Sequence, residues 1–433
     1  MPLLPKIAII ADDLTGSADS AVQFASEEMA TAVVMPGSDI PTDNNLDVIV
    51  IDSESRDIKN KDAYEEVVNA CKKVIGLNKD ILLYKKVDST LRGNVGSELQ
   101  AVFDIFNPKL IVFSPAFIPS QRTTVNGIQY LKGIKLEDTE LARIPKSPVT
   151  TSDIKEIISK QSKLKCSNLY LEDLEKNVEE IHQKILSEIN DDVKILICDA
   201  TKTEHQEKLV AACHGLEKIV YSGSAGLAQA LSRSISISDR HKKSTQAISG
   251  VSKILVLAGS ISKTTRRQTE ELLKQFNCEL IRTTPELTVS SPKESAKDCC
   301  NKIRTALLKS DIVVVSAAFE ENDVQRTAKE GERLGISFFE IGEIMASCMS
   351  DIMRDCADLF DGYVLTGGDT AIHACKSCNA GMLEIIEEVQ SGIPLTKILT
   401  GNLKARYLVT KAGAFGNDSA FTDAVKKLKH LEK

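Results

Sequence analysis

Tryptophan is absent from the 433 residues, and all aromatics together make up 4%. Clefts for carbohydrate polymers and base-stacking platforms are built from aromatic rings, so neither fits this chain. No apolar run approaches the ~20 residues that cross a bilayer. Basic residues are the minority: 54 Lys and Arg stand against 61 Asp and Glu, a formal net charge of −7. That balance makes a poor general binder of nucleic acid or of anionic membranes, although a few local cations can still hold a small anion. Histidine is scarce, six in all, with no paired-His motif, which argues against a His-based metallohydrolase. Two glycine fingerprints are missing as well. There is no G-x-x-x-x-G-K-[ST] loop, and no G-x-G-x-x-G follows the first strand of either half.

What is present is ordinary for a globular chain: 42% apolar and 27% charged residues. At roughly 150 residues per domain, two or three domains are expected. The opening Met1–Ile10 lacks a basic head and runs straight into Asp12 and Asp13, so it reads as a first strand rather than a signal peptide. The 11 cysteines are odd in number and scattered, which with that start points to reduced thiols and a cytoplasmic location.

Short β-branched runs alternate with amphipathic stretches. Strands are expected at Lys6–Ala11, Ala32–Met35, Val48–Asp52, Ile81–Lys85, Leu110–Phe113, Lys194–Cys198 and Ile219–Tyr221. Helices are expected between them, for example over Ala63–Ile75 and Gly96–Phe106. The strands are continuous apolar runs without alternation, as when helices cover both faces of a parallel sheet. From Ser232 to Ser252 the chain turns polar and Ser-rich, the composition of a linker. A second unit follows, with strands at Ile254–Leu257, Leu280–Arg282, Ile312–Val315, Tyr363–Leu365 and Tyr407–Val409. The fold class is therefore α/β in two lobes, each with a mostly parallel sheet flanked by helices. The domains are 1–235 and 253–433, joined by a polar linker at 236–252. Ligands of such sheets sit at the carboxyl ends of strands, and two lobes place an active site in the cleft between them.

Polar residues cluster at those strand ends. Ala11-Asp12-Asp13-Leu14-Thr15-Gly16-Ser17 puts two carboxylates directly after a buried strand. Such carboxylates accept hydrogen bonds from hydroxyls, bind Mg²⁺ or serve as a general base, whereas helix capping needs only one. Lys85-Lys86-Val87-Asp88-Ser89-Thr90-Leu91-Arg92 supplies cations for an anionic substrate. Arg56 follows a third strand and Arg122 a fourth; each is either a carboxylate fork or part of a surface turn. In the second half Ser260 to Thr265, Gly367 to Thr370 and Lys411 to Gly416 each follow a strand with small residues. Small residues let backbone approach phosphate at a helix N-terminus, and three such turns point to a nucleotide-binding lobe. His373, Cys375 and Cys378 fall on a helical pattern and make a poor zinc site.

These segments together resemble the four-carbon acid sugar kinases. The resemblance is carried by ADDLTGSAD at Ala11–Asp19, KKVDSTLRGNVGSEL at Lys85–Leu99, PAFIPSQRTTVNG at Pro115–Gly127, GSAGLAQAL at Gly223–Leu231, AGSIS at Ala258–Ser262, TGGDTA at Thr366–Ala371 and KAGAFG at Lys411–Gly416. It implies a sugar-acid lobe, then an ATP lobe, and phosphorylation of the terminal hydroxyl of threonate, erythronate or 3-oxo-tetronate-like acids. By position it implies Asp12, Arg56, Lys86, Val87, Asp88 and Ser89 as substrate residues. Ser260, Gly367, Gly368, Asp369, Thr370 and Gly413 would meet the nucleotide. Asp369 and Asp12 are the carboxylates that could take the hydroxyl proton. ATP with Mg²⁺ is the implied cofactor pair, and a homo-oligomer is compatible. Two other classes fit an α/β chain: a nicotinamide-dependent dehydrogenase and a non-catalytic sugar-acid binder. The missing dinucleotide fingerprint weighs against the first, and ATP binding separates the kinase from the second.

Overall fold

A computed structural model of the chain describes residues 5–41, 45–144, 146–235 and 251–430. The linker expected at 236–252 lies outside the described residues up to position 250. The chain divides into two compact units: Met1–Pro36 with Pro41–Lys243, and Gly37–Ile40 with Ser244–Lys433.

The first unit contains β1 (Ile7–Ala11), β2 (Thr31–Val34), β3 (Val48–Asp52), β4 (Leu82–Lys86), β5 (Leu110–Ser114), β6 (Arg122–Val125), β7 (Ile128–Leu131), β8 (Ile134–Lys135), β9 (Cys166–Leu169), β10 (Ile195–Cys198) and β11 (Ile219–Gly223). Eight of these form one sheet in the order β2-β3-β1-β4-β11-β5-β10-β9, with every pair parallel. The apolar runs explain it. All five residues of β1, β3 and β5 are buried, because helices cover both faces. Register fixes the functional edge. Ala11 of β1 stands opposite Asp52 of β3 and Lys86 of β4, so three central strands end at one level. Gly223 of β11 pairs with Lys86 on one side and Ser114 of β5 on the other.

β6, β7 and β8 form a separate antiparallel sheet that the apolar-run criterion does not find. Arg122, Thr123 and Thr124 give it no apolar run. Its turn was nonetheless readable: Asn126 and Gly127 both have positive φ, 54° and 71°, the demand of a two-residue hairpin turn.

The second unit contains β12 (Ile254–Ala258), β13 (Glu279–Arg282), β14 (Ile312–Ser316), β15 (Gly362–Thr366), β16 (Met382–Gln390), β17 (Ile393–Ile398) and β18 (Tyr407–Lys411). Their order is β13-β14-β12-β15-β18-β17-β16. The first five are parallel, and β17 runs antiparallel to both β18 and β16. The sequence reading also misses the β16–β17 hairpin, where Glu384, Glu387 and Glu388 break the apolar pattern, and β9 of the first unit, which contains Ser167 and Asn168. Val256, Val314, Val364 and Val409 of the parallel strands pack with Phe421 and Leu428 of the last helix, Ala420–Lys429. The α/β class and the mostly parallel sheet hold in both units. No helix of the described residues is long and apolar enough to cross a membrane.

Candidate active site

In the first unit, β1 ends and the helix Leu14–Ala25 begins within three residues. Asp13 caps that helix, its Oδ1 accepting from the Gly16 amide at 2.6 Å. Arg56, from the loop after β3, closes over both carboxylates. Its Nε donates to Asp12 Oδ2 at 2.7 Å, its Nη2 to Asp13 Oδ1 at 2.7 Å, and its Nη1 to Asp13 Oδ2. Asp12 is 2% exposed, and its second oxygen, Oδ1, is buried with no hydrogen-bond partner among the described residues. A Cβ on Gly16 would stand 2.7 Å from Asp13 Oδ1, 3.0 Å from Lys86 Nζ and 3.4 Å from Asp12 Oδ1. Two carboxylates and an ammonium therefore converge on a spot that only glycine leaves clear.

The two lysines that end β4 part company. Lys85 is fully buried and paired with Glu98 at 2.7 Å, while Glu98 also accepts from Ser55 at 2.7 Å. It belongs to the scaffold. Lys86 points into the cluster and, among the described residues, donates only to the Val87 carbonyl, at 3.0 Å. Val87 itself is buried, and its amide is spent on the Gly223 carbonyl at 2.9 Å. Asp88 accepts from Thr90 Oγ1 at 2.5 Å and from Arg92 Nε. The Ser89 carbonyl accepts from Gln129 at 2.8 Å. Arg122, at the start of β6, has a buried Nε without a partner among the described residues.

Burial would raise every carboxyl here, and neighbouring charge decides the outcome. For Asp12, Arg56 with Lys86 and Lys85 outweighs burial and holds the group below the usual carboxylate range. Asp13 ends above it, because burial and the Asp12 charge outweigh Arg56. Burial and Asp13 push Asp52 well up. Burial is overcome at Asp88 by Arg56 and Arg92, which hold it far below. Arg122 is lowered by burial, against the pull of Asp88 and Asp19. The structure thus brings Asp12, Arg56, Lys86 and Asp88 together, and adds Asp13, Gly16, Arg92 and Arg122. The Arg56 fork holds the protein's own carboxylates, which leaves Lys86 and Arg122 as the less engaged cations.

In the second unit the glycine-bearing turns follow β12, β15 and β18. Gly367 has φ +105° and precedes the helix Gly368–Ser377, whose first turn carries Asp369 and Thr370. The first amides of a helix have no partner inside it and favour an anion. The Gly413 carbonyl accepts three hydrogen bonds: from Ser262 Oγ at 2.8 Å, Thr265 Oγ1 at 3.0 Å and Lys411 Nζ at 3.1 Å. A Cβ on Gly413 would sit 2.3 Å from Ser260 Oγ, so the turns after β12 and β18 are in close contact. Beside them lies a pocket of about 250 Å³. Ser260, Gly367, Asp369 and Thr370 form one wall, and Val324, Ala328, Ile341 and Met345 give an apolar remainder. The apolar wall escaped the sequence reading, because a pocket side chain looks like any core-facing residue of an amphipathic helix. His373 stands 3.2 Å from Glu343, while Cys375 and Cys378 are buried. No group of three or more potential metal ligands occurs among the described residues.

Comparison with known proteins agrees with this division. The family description "Sugar-binding N-terminal domain" matches residues 7–231, and "Nucleotide-binding C-terminal domain" matches 255–421. A D-threonate kinase of Salmonella typhimurium is 30% identical, with 97% of each chain covered. A D-erythronate kinase of Heliobacterium modesticaldum is 26% identical, covering 96% of this chain and 95% of its own. The solved structure of a Salmonella typhimurium LT2 protein shares the fold with a TM-score of 0.83 at 21% identity, over 97% of this chain and 99% of that one. With both domains matched in order and full-length relatives of this kind, the chain belongs to the four-carbon acid sugar kinase family.

Proposed function

We propose that the protein transfers the γ-phosphoryl group of ATP to the terminal hydroxyl of a four-carbon sugar acid of the threonate, erythronate or 3-oxo-tetronate class. The observation that carries this reading is the buried, unmet Asp12 Oδ1 beside Lys86 in the domain matched as sugar-binding. A buried acceptor without a donor favours a ligand that brings one. A sugar acid brings several hydroxyls and one carboxylate.

In this reading Asp12 and Asp88 receive substrate hydroxyls, while Lys86 and Arg122 face the carboxylate. Ser89 lies beside them as a further hydroxyl, and the fixed chain at Val87 sets the loop. Arg56 keeps Asp12 charged and holds both Asp12 and Asp13 in place. The amides of Gly368 to Thr370, with Ser260 and the Gly413 turn, hold the phosphates, and the apolar pocket next to them takes the base. Asp12, kept low by Arg56, is suited to accept a hydrogen bond rather than a proton. Asp369 is the exposed carboxylate at the phosphate turns and takes the hydroxyl proton. Mg²⁺ fits the same place, since it binds through one or two carboxylates plus phosphate oxygens and supplies charge neutralisation when bound. The rest of the catalysis is positioning.

A coupled ADP-release screen over four-carbon acids of both configurations tests the proposal. One acid should raise ADP release far above the acid-free background. No acid doing so would remove the reading.

A further inference from the structure

β18 ends in a lysine whose situation is unusual. Lys411 is 4% exposed. Its Nζ donates to Thr366 Oγ1 and to the Gly413 carbonyl, both at 3.1 Å, and lies 5.5 Å from the centre of the Phe421 ring. Both acceptors are neutral, and among the described residues no carboxylate pairs with it. Lys85 of the first unit shows the ordinary solution: an equally buried ammonium with Glu98 at 2.7 Å. A buried charge without a counter-charge destabilises the fold, so a chain that keeps one has a use for it. Burial pulls Lys411 down to about 8. A second anion-facing feature adjoins it. The Gly413 carbonyl is drawn inward by Ser262, Thr265 and Lys411. In a trans peptide the next amide, that of Ala414, points the opposite way, and Ala414 is exposed.

We infer that Lys411 is a phosphate-binding cation of the nucleotide site: its unneutralised ammonium lies behind the Gly413 turn and supplies the positive charge that the triphosphate meets. The inference rests on reading the second unit as the nucleotide lobe. The missing counter-ion is then the ligand itself, and the two neutral acceptors only aim the ammonium. Lys411 stands in the KAGAFG segment, but sequence alone gave no reason to separate it from any lysine ending a strand.

The test is calorimetric binding of a non-hydrolysable ATP analogue to the wild type, Lys411→Met and Lys411→Gln, with the melting temperature of each ligand-free protein. Gln keeps hydrogen-bond donors but not the charge. Both variants should raise the nucleotide Kd at least ~10-fold, with the Michaelis constant for the acid unchanged. Lys411→Met should melt no lower than the wild type, because an unpaired buried charge is gone. An analogue Kd within twofold of wild type in either folded variant overturns the inference, since it would show the charge to be idle. A wild type that binds no nucleotide overturns instead the reading of the second unit on which the inference stands.

Discussion

The two units solve recognition by different means. The first packs opposite charges against one another: Arg56 spans Asp12 and Asp13, and Arg92 holds Asp88. In the proposed reading the second uses backbone turns, hydroxyls and a buried cation, Lys411, with which no carboxylate pairs among the described residues. The difference follows from the ligands assigned to them. A small polyhydroxy acid has few atoms, so its selection needs many directional side chains whose own charges must be balanced when it is away. A triphosphate carries its charge in abundance. Backbone amides, a fixed cation and an apolar wall are sufficient to hold it. In the proposed reading, selection of the acid therefore belongs to the first unit and binding of the nucleotide to the second.

The sharpest way to break this contrast is to move the chemistry. Asp369→Asn should lower turnover by at least ~100-fold with the acid's Michaelis constant little changed, as expected when a proton acceptor is lost. Asp12→Asn should weaken both binding and turnover. Steady-state kinetics on the two variants decides the assignment. Near-normal turnover in Asp369→Asn, with Asp12→Asn inactive yet binding acid normally, would exchange their roles.

The charge balance of the first unit is tested by Arg56→Ala. It leaves the buried Asp12 beside the half-buried Asp13 with no guanidinium between them, and breaking a buried pair costs about 3–5 kcal/mol. Urea denaturation should show that loss, and Arg56→Ala with Asp13→Asn should recover part of it. Equal stability of the wild type and Arg56→Ala would mean that water already carries those carboxylates.

Lys86→Ala should raise the Michaelis constant for the acid by ~10-fold or more and leave nucleotide affinity within twofold, since the two effects belong to different units. The reverse pattern would mean that the ligands have been assigned to the wrong units. The smallest structural disturbance is Gly368→Val. Nothing lies within 4 Å of a Cβ there, so the variant should fold, and lost nucleotide affinity would report a blocked phosphate. Gly413→Val is a worse probe, because Ser260 is already in its way.

Much of this is legible in the amino-acid sequence. The buried parallel strands announce themselves as apolar runs, and the dense polar segments after β1 and β4 mark the functional edge. The missed strands all lack a clean apolar run. Polar residues interrupt β6, β7, β8 and β16, Pro394 and Lys397 interrupt β17, and β9 carries Ser167 and Asn168 although it is a parallel strand of the first sheet. Within the site, residue types at strand ends were readable but their pairings were not. Arg56 and Asp12 are 44 positions apart, and nothing local tells that the guanidinium turns inward to them rather than outward to a ligand. Lys85 and Lys86 are adjacent and of one type, yet only the pleat decides which meets Glu98 and which meets the cluster.

The place of β11 in the first sheet has a consequence for synthesis on the ribosome. It is the last strand of its sheet to be made, yet it lies between β4 and β5. Until residues 219–223 emerge, the nascent chain holds at most two partial sheets, β2-β3-β1-β4 and β5-β10-β9, each with a bare edge where β11 belongs. Such edges recruit other strands, including those of neighbouring nascent chains. A translation pause just before Ile219 would prolong that exposure, whereas a pause beyond the first unit would let the sheet close. The timing of elongation near that strand thus bears on the yield of folded enzyme without altering one contact of the finished molecule.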